Sequence, residues 1–140
     1  GGMESFLDQS LANLDPQVGG DYVFVSTDTV PPGLEPFAVI REAEGVTLVV
    51  PAIEATQYGF GGQPLFTLIT MGAVTSLTSV GVTATVAQTI ASRNIACNVV
   101  AGYYHDHLLV PKEDSVEVVG ILRHLSRQAE GWLPQGEDRG

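Results

Sequence analysis

The stretch that most constrains this chain runs from Val80 to Pro111, VGVTATVAQTIASRNIACNVVAGYYHDHLLVP, because it sets a helix, a stop and a strand hairpin end to end. Val82, Val86 and Ile90 recur at helical spacing with Ala87 and Ala91 beside them, and Ser92, Arg93 and Asn94 form a polar stop. Ile95 to Ala101 is mostly apolar and β-capable, Gly102 to Asp106 turns, and His107 to Val110 runs back until Pro111 ends pairing. A hairpin of this kind needs further strands, so the rest of the chain is expected to complete its sheet.

Upstream, Phe6, Leu7, Leu11 and Leu14 mark one face of a short packing helix from Met3 to Leu14, which Asp15-Pro16 terminates. After a break at Gly19-Gly20, Tyr22 to Ser26 reads as a strand and Val30 to Gly33 as a loop. Phe37 to Glu42 and Val46 to Val50 form a hairpin about Glu44-Gly45. Pro51 opens a short helix that Gly59 stops near Tyr58. The Gly59–Gly62 run lacks a following Lys-Ser/Thr and opens no long helix, so it reads as a connector and not a phosphate cradle.

The second half repeats this plan more fully: strand Leu65 to Met71, loop Gly72 to Ser79, the helix to Arg93, the hairpin, and a helix from Glu113 to Arg127. In that helix Val116, Val119, Leu122 and Leu125 are expected inward, with Arg123, His124 and Arg127 near the C-terminal end, where cations suit the helix dipole. Trp132 is expected to anchor the start of a polar tail. No closing strand follows, so the first half must lend one. Strand, helix, strand, strand, helix with a borrowed strand is a ferredoxin-like split βαβ arrangement.

With 140 residues and 44% hydrophobic content the chain can bury a core as one domain or two small repeats. Six basic against sixteen acidic residues, a net charge of −10, disfavour nucleic acid and anionic membrane as partners. Cys97 has no partner for a disulfide and reads as a small core residue in a buried strand. No run of eighteen apolar residues and no cationic leader occurs, so a cytoplasmic protein is expected. Gly1-Gly2 reads as a tag remnant.

Phe66 to Pro111, with its apolar strand, Gly81-Val82 at a helix start and Asn94-Ile95-x-x-Asn98 opening the next strand, resembles an ACT domain. YVFVS at 22–26, REAEGVTLVVP at 41–51, SVGVTATVA and CNVVAGYYHDHLLVP resemble, more narrowly, a bacterial family of small stand-alone tandem-ACT proteins related to the regulatory region of aspartate kinase. The resemblance covers about residues 5–128. It implies an α+β protein of ferredoxin-like ACT fold, two βαββα-type units with antiparallel sheets and packed helices. The expected division is 1–20 for tag remnant and packing helix, 21–62 for a reduced first unit, 63–130 for a fuller second unit, and 131–140 for a flexible tail. The first unit departs from the pattern, its first helix reduced to the loop around Pro31 to Pro36. The resemblance further implies a regulatory protein that binds an amino acid or similar small molecule where ACT units meet, associates as a homodimer or higher homo-oligomer, and needs no cofactor.

A free amino acid presents a carboxylate and an ammonium. A strand-to-helix loop offers unpaired N–H groups at the positive helix end, which suit the carboxylate. That loop is Gly72 to Thr83, and the candidate ligand-binding residues in it are Ser76, Ser79, Val80, Gly81, Val82 and Thr83. Ser76 and Ser79 either cap the helix or contact ligand, and Gly81 either packs or admits the ligand closely. For the ammonium, Asn98, the carbonyls of Val99 to Gly102 (Ala101 among them), and Asp106 are candidate acceptors, although Asn98 can equally satisfy backbone at the strand edge. His105-Asp106-His107 falls short of the three or four ligands of a zinc site, so no metal is expected. One of Tyr103 and Tyr104 should face the core or a partner and the other water. No catalytic triad, carboxylate pair or dinucleotide fingerprint supports an enzyme, and the alternatives are a partner-binding module with a vestigial site or an enzyme built on the His105–His107 hairpin.

Overall fold

The computed structural model describes residues 2–73 and 76–133, with side chains from residue 6 onward. Val74 and Thr75 of the expected loop, and the expected tail from residue 134, lie outside the described residues. In chain order the elements are α1 (Gly2–Ala12), β1 (Pro16–Thr27), β2 (Ala38–Glu42), β3 (Gly45–Pro51), α2 (Ala52–Gln57), β4 (Phe66–Met71), α3 (Val82–Ser92), β5 (Asn98–Ala101), β6 (Asp106–Pro111), a 3-10 turn (Lys112–Asp114) and α4 (Ser115–Trp132).

All six strands form one antiparallel sheet in the order β2-β3-β1-β4-β6-β5. The borrowed strand expected from the sequence is β1. Its C-terminal half pairs with β3, from Tyr22↔Pro51 to Thr27↔Val46, and its N-terminal half pairs with β4, from Pro16↔Met71 to Tyr22↔Phe66. The expected break at Gly19-Gly20 is a bulge inside a continuous strand, since the register shifts between Val18 and Asp21. Gly20, at φ 97°, adopts a backbone conformation that a side chain would oppose.

The sheet's two faces bury different chemistry, because successive strand residues point to opposite sides. On one face α1, α3 and α4 cover Ile69, Met71, Leu108 and Val110. Leu14 and Leu122 are fully buried in this layer, and the Ser126 hydroxyl donates to the Leu11 carbonyl at 2.8 Å, tying α4 to α1. Further along the sheet, Ala55 of α2 and Leu34 pack on Val23, Val25, Leu48 and Val50. The other face carries Val49, Leu68 and Leu109 under Tyr22, Phe24, Phe37 and Phe66, with no helix residue among them. There Phe37, whose N–H donates to the Val49 carbonyl, meets His107 edge-on with ring centroids 5.0 Å apart. In a flat sheet the four strand spacings from β2 to β6 would hold those backbones roughly 19 Å apart. The sheet therefore curls toward its aromatic face.

Several local expectations are corrected. Asn94, at φ 60°, ends α3 in the left-handed conformation. Beyond it Ile95 is buried on the helical side, and β5 begins only at Asn98, so Cys97 lies outside the strand, partly buried against the helical core. Burial pushes its thiol pKa up, the opposite of what a reactive cysteine needs. Pro51 ends β3 and forms the N-cap position of α2 instead of its first residue. Phe6 is 73% exposed, whereas Leu11 and Leu14 are buried as expected.

The last helix starts after the 3-10 turn and continues to Trp132, which leaves Arg123, His124 and Arg127 in mid-helix and no base in the final turn. Its buried positions are Val118, Ile121, Leu122 and Ala129, with Val119 and Leu125 packed at the margin. Val116 and Trp132 are 85% and 78% exposed, so neither is a core contact or an anchor. Ile121→Ala should accordingly cost about 2–5 kcal/mol in denaturant unfolding. Val116→Ala should change stability by less than about 0.5 kcal/mol, the reverse of what simple periodicity suggests.

Candidate functional site

The start of α3 is set by Gly81, which occupies the N-cap position in the left-handed conformation at φ 96° and contributes no side-chain cap. The first backbone bond of the helix runs from Thr85 N–H to the Gly81 carbonyl at 2.9 Å. The N–H groups of Val82, Thr83 and Ala84 thus point out of the helix end without an intrahelical partner. Ser76 and Ser79 do not cap the helix, contrary to expectation. The Ser76 hydroxyl instead bonds the Thr78 hydroxyl at 2.8 Å and accepts from the Thr78 N–H, while the Ser79 N–H donates to the Ser76 carbonyl. Ser79 precedes the N-cap position by two residues, and its side chain is spent on neither N2 nor N3.

Beside this helix end lies a cleft of about 450 Å³ with Phe6 and Leu7 of α1 on one side and Thr78, Ser79, Val80 and Val82 on the other. A Cβ on Gly81 would stand 3.5 Å from Leu7, an ordinary contact. Gly81 is therefore needed for its backbone conformation more than for room. At the other side of the first turn, the Thr83 hydroxyl donates to Asp106 Oδ2 at 2.8 Å and joins α3 to the head of β6.

The ten candidate residues divide into groups. Thr83 and Asp106 meet directly, and Ala101 is paired with Asp106 across β5 and β6. Ser79, Val80 and Val82 line the cleft, whereas Ser76 is an exposed loop residue. Val82 is also 7% exposed and belongs to the core. Asn98 lies at the far end of β5, where its Nδ2 donates to the Leu109 carbonyl at 3.2 Å, and Val99 is exposed beside it. The reading of Asn98 as a residue that satisfies strand-edge backbone is the one this geometry matches.

The His105-Asp106-His107 run is split by strand alternation. Asp106 turns toward α3. His107 sits on the aromatic face, its Nδ1 2.8 Å from the Thr70 hydroxyl. His105 Nδ1–H donates to the Ala73 carbonyl at 3.2 Å and holds the start of the loop that leads to α3. The two rings are 6.5 Å apart, and among the described residues no three His, Cys, Asp or Glu side chains gather as a metal site. Tyr103 and Tyr104 are both exposed and packed on each other at 4.9 Å, so neither faces the core.

The contribution of α1 to the cleft could not be read from spacing, because Phe6 and Leu7 look like core positions of a packing helix. The nearest sequence signal was the excess of apolar residues in that helix over what one face requires. Among the described residues no helix is long and apolar enough to cross a membrane.

Family models described as ACT domain match residues 4–66 and residues 65–124. Among solved structures, a Vibrio cholerae protein of unknown function, described as a possible transport protein, is 40% identical at a TM-score of 0.74, with 86% of this chain and 96% of that one covered. A protein from Agrobacterium tumefaciens is 16% identical at a TM-score of 0.63, covering 79% of this chain and 87% of that one. The regulatory subunit of aspartate kinase from Thermus thermophilus, in its ligand-free form, is 15% identical at a TM-score of 0.53, covering 83% and 92%. The last two likenesses concern the fold alone. No curated protein matches the sequence.

Burial, and after it the neighbouring His105, holds the His107 pKa below the ordinary imidazole value of 6.5, against a smaller upward pull from Asp106. As pH falls through 6.5 the unfolded chain takes up this proton before the folded one does, so stability present above that pH is lost on acidification. The melting temperature should therefore fall below about pH 6.5, and His107→Gln should flatten that part of the profile. An unchanged slope in the variant would assign the acid sensitivity to other groups.

Proposed function

Because this chain belongs to the ACT-domain family, with two such units in tandem over residues 4–124, we propose that it is a regulatory protein that binds a free amino acid and acts by binding, not by catalysis. The observation that carries this reading is the cleft beside the uncapped N-terminus of α3. The unpaired N–H groups of Val82 to Ala84, at the positive end of the helix, suit the ligand carboxylate. Asp106, held by Thr83 at the other side of the same first turn, is the acceptor proposed for the ammonium. Phe6, Leu7 and Val80 offer an apolar wall to the ligand side chain, which favours an aliphatic amino acid over a charged one. The shared fold of an aspartate kinase regulatory subunit is consistent with such a role. The division into units at 21–62 and 63–130 is part of this proposal and is supported by two family matches that meet at residues 65–66.

The proposal includes self-association. Edge strand β5, Asn98-Val99-Val100-Ala101, has no charge and no proline to discourage pairing with another strand, whereas β2 at the opposite edge carries Arg41 and Glu42. A homodimer that pairs β5 with its symmetry mate would cover it. Light scattering should give a dimer, and Val99→Lys should yield a folded monomer. A monomeric parent protein at micromolar concentration would refute this.

A thermal-shift screen of the common amino acids tests the binding reading. A ligand at a hundred times its Kd adds about 2.7 kcal/mol of stability, several degrees for a chain of this size. Gly81→Val, forced into a backbone region that β-branched residues avoid, should remove that shift, and Thr83→Val should reduce it while leaving the fold intact. A full shift retained in a folded Gly81→Val protein would move the site elsewhere.

A further inference from the structure

A second cleft, of about 650 Å³, opens where the end of α1, the start of β1 and the middle of α4 meet, and it is lined by Asp15, Gly72, Ala73, Arg123, Ser126 and Arg127. Its cations are unusual for a chain of net charge −10. Of the basic residues described, Arg93 is paired with Glu117 at 2.9 Å, Lys112 with Asp21 at 2.8 Å, and Arg41 lies at the β2 edge. Arg123 and Arg127 stand one turn apart on α4, and neither has an ion-pair partner among the described residues. Like charges at this spacing destabilise a helix unless something neutralises them. Among the described residues of this acidic chain, no carboxylate pairs with either guanidinium group on the wall of this cleft.

Asp15 supplies the opposite charge, and its placement is costly. It is a non-glycine residue at φ 46°, in the left-handed region. Its carboxylate accepts from Gln17 Nε2 at 3.1 Å and lies so close to the Gly72 backbone that a Cβ there would stand 2.3 Å from Oδ2. Gly72 in turn donates its N–H to the carbonyls of Leu14 and Asp15 at 3.0 and 2.8 Å. A side chain at residue 72 would displace the Asp15 carboxylate and the Gln17 amide from their present positions at the cleft. The Asp15 carboxylate and two guanidinium groups without an ion-pair partner among the described residues converge on the same cleft.

We propose that this cleft is a binding site for an amino dicarboxylate. Two guanidinium groups match two carboxylates, for which the arginine fork is well shaped, and Asp15 matches one ammonium. The site is separate from the α3 cleft, which lacks cationic side chains. The two are linked, because Gly72 and Ala73 begin the loop whose far end, Thr78 to Val80, lines the α3 cleft.

The experiment uses the full chain labelled with nitrogen-15 and titrated with L-glutamate, following the Nε–Hε signals of Arg123 and Arg127, with glutarate as the probe that lacks the ammonium. Both signals should shift saturably with L-glutamate, and at least tenfold more weakly with glutarate. Arg123→Gln/Arg127→Gln should weaken L-glutamate binding at least tenfold with no fall in melting temperature, since it also removes a like-charge pair. Asp15→Asn, which tolerates the same backbone conformation, should abolish the preference for L-glutamate over glutarate. Unmoved arginine signals at saturating L-glutamate, or equal binding of both probes to the parent protein, would overturn the proposal. Binding lost in Gly81→Val and kept in the double arginine variant would also overturn it while supporting the α3 site, so the two readings fail separately.

Discussion

The structure depends on the hydrogen bonding of β1 to a different strand on each side. Its C-terminal half completes the hairpin of β2 and β3, its N-terminal half supplies the neighbour that β4 otherwise lacks, and Tyr22 is paired in both ladders. Without β1 the second half would present β4 as an open edge, and the first would be a hairpin with one short helix, too small to bury a core. The bulge at Gly19-Gly20 falls in the half of the strand that pairs with β4. It shifts the register inside the β1–β4 ladder, between Val18↔Ile69 and Asp21↔Thr67, just ahead of Tyr22, where pairing with β3 begins.

The position of α1 follows from the same strand. Leu14 is fully buried and Asp15 turns the chain straight into β1, so the helix is laid across α3 and α4 and not released from the fold. That brings Phe6 and Leu7 to the N-terminus of α3 and Asp15 to the arginine pair of α4. Both clefts are thus by-products of how the shared strand is entered, and the loop after β4, held by His105 through the Ala73 carbonyl, runs from one to the other.

Strong periodicities were legible in the sequence. Val82, Val86 and Ile90 are the buried face of α3, the hairpins fall where turn residues put them, and the need for a borrowed strand followed from an unfinished second half. What could not be read depended on long-range packing. Gly19-Gly20 carries the same local signal for a break as for a bulge, and only the partner strands decide between them. Val116 has the spacing of a core residue, yet a 3-10 turn sets the start of α4 so that it points to water. At the site, the Thr83–Asp106 contact joins residues 23 positions apart in the chain. Gly81 was recognisable as special, but its left-handed backbone at the N-cap position, which leaves the first turn without a side-chain cap, became visible only in three dimensions.

The central claim is that an amino acid's carboxylate is received by the first-turn amides of α3. Backbone amide chemical shifts report this directly, since accepting a hydrogen bond from an N–H moves its proton downfield. Titration with the most stabilising amino acid should move the Val82, Thr83 and Ala84 amide protons downfield together, saturably and with one apparent Kd. Saturable binding that leaves those three amides unmoved would contradict the account, wherever else on the protein the shifts occurred.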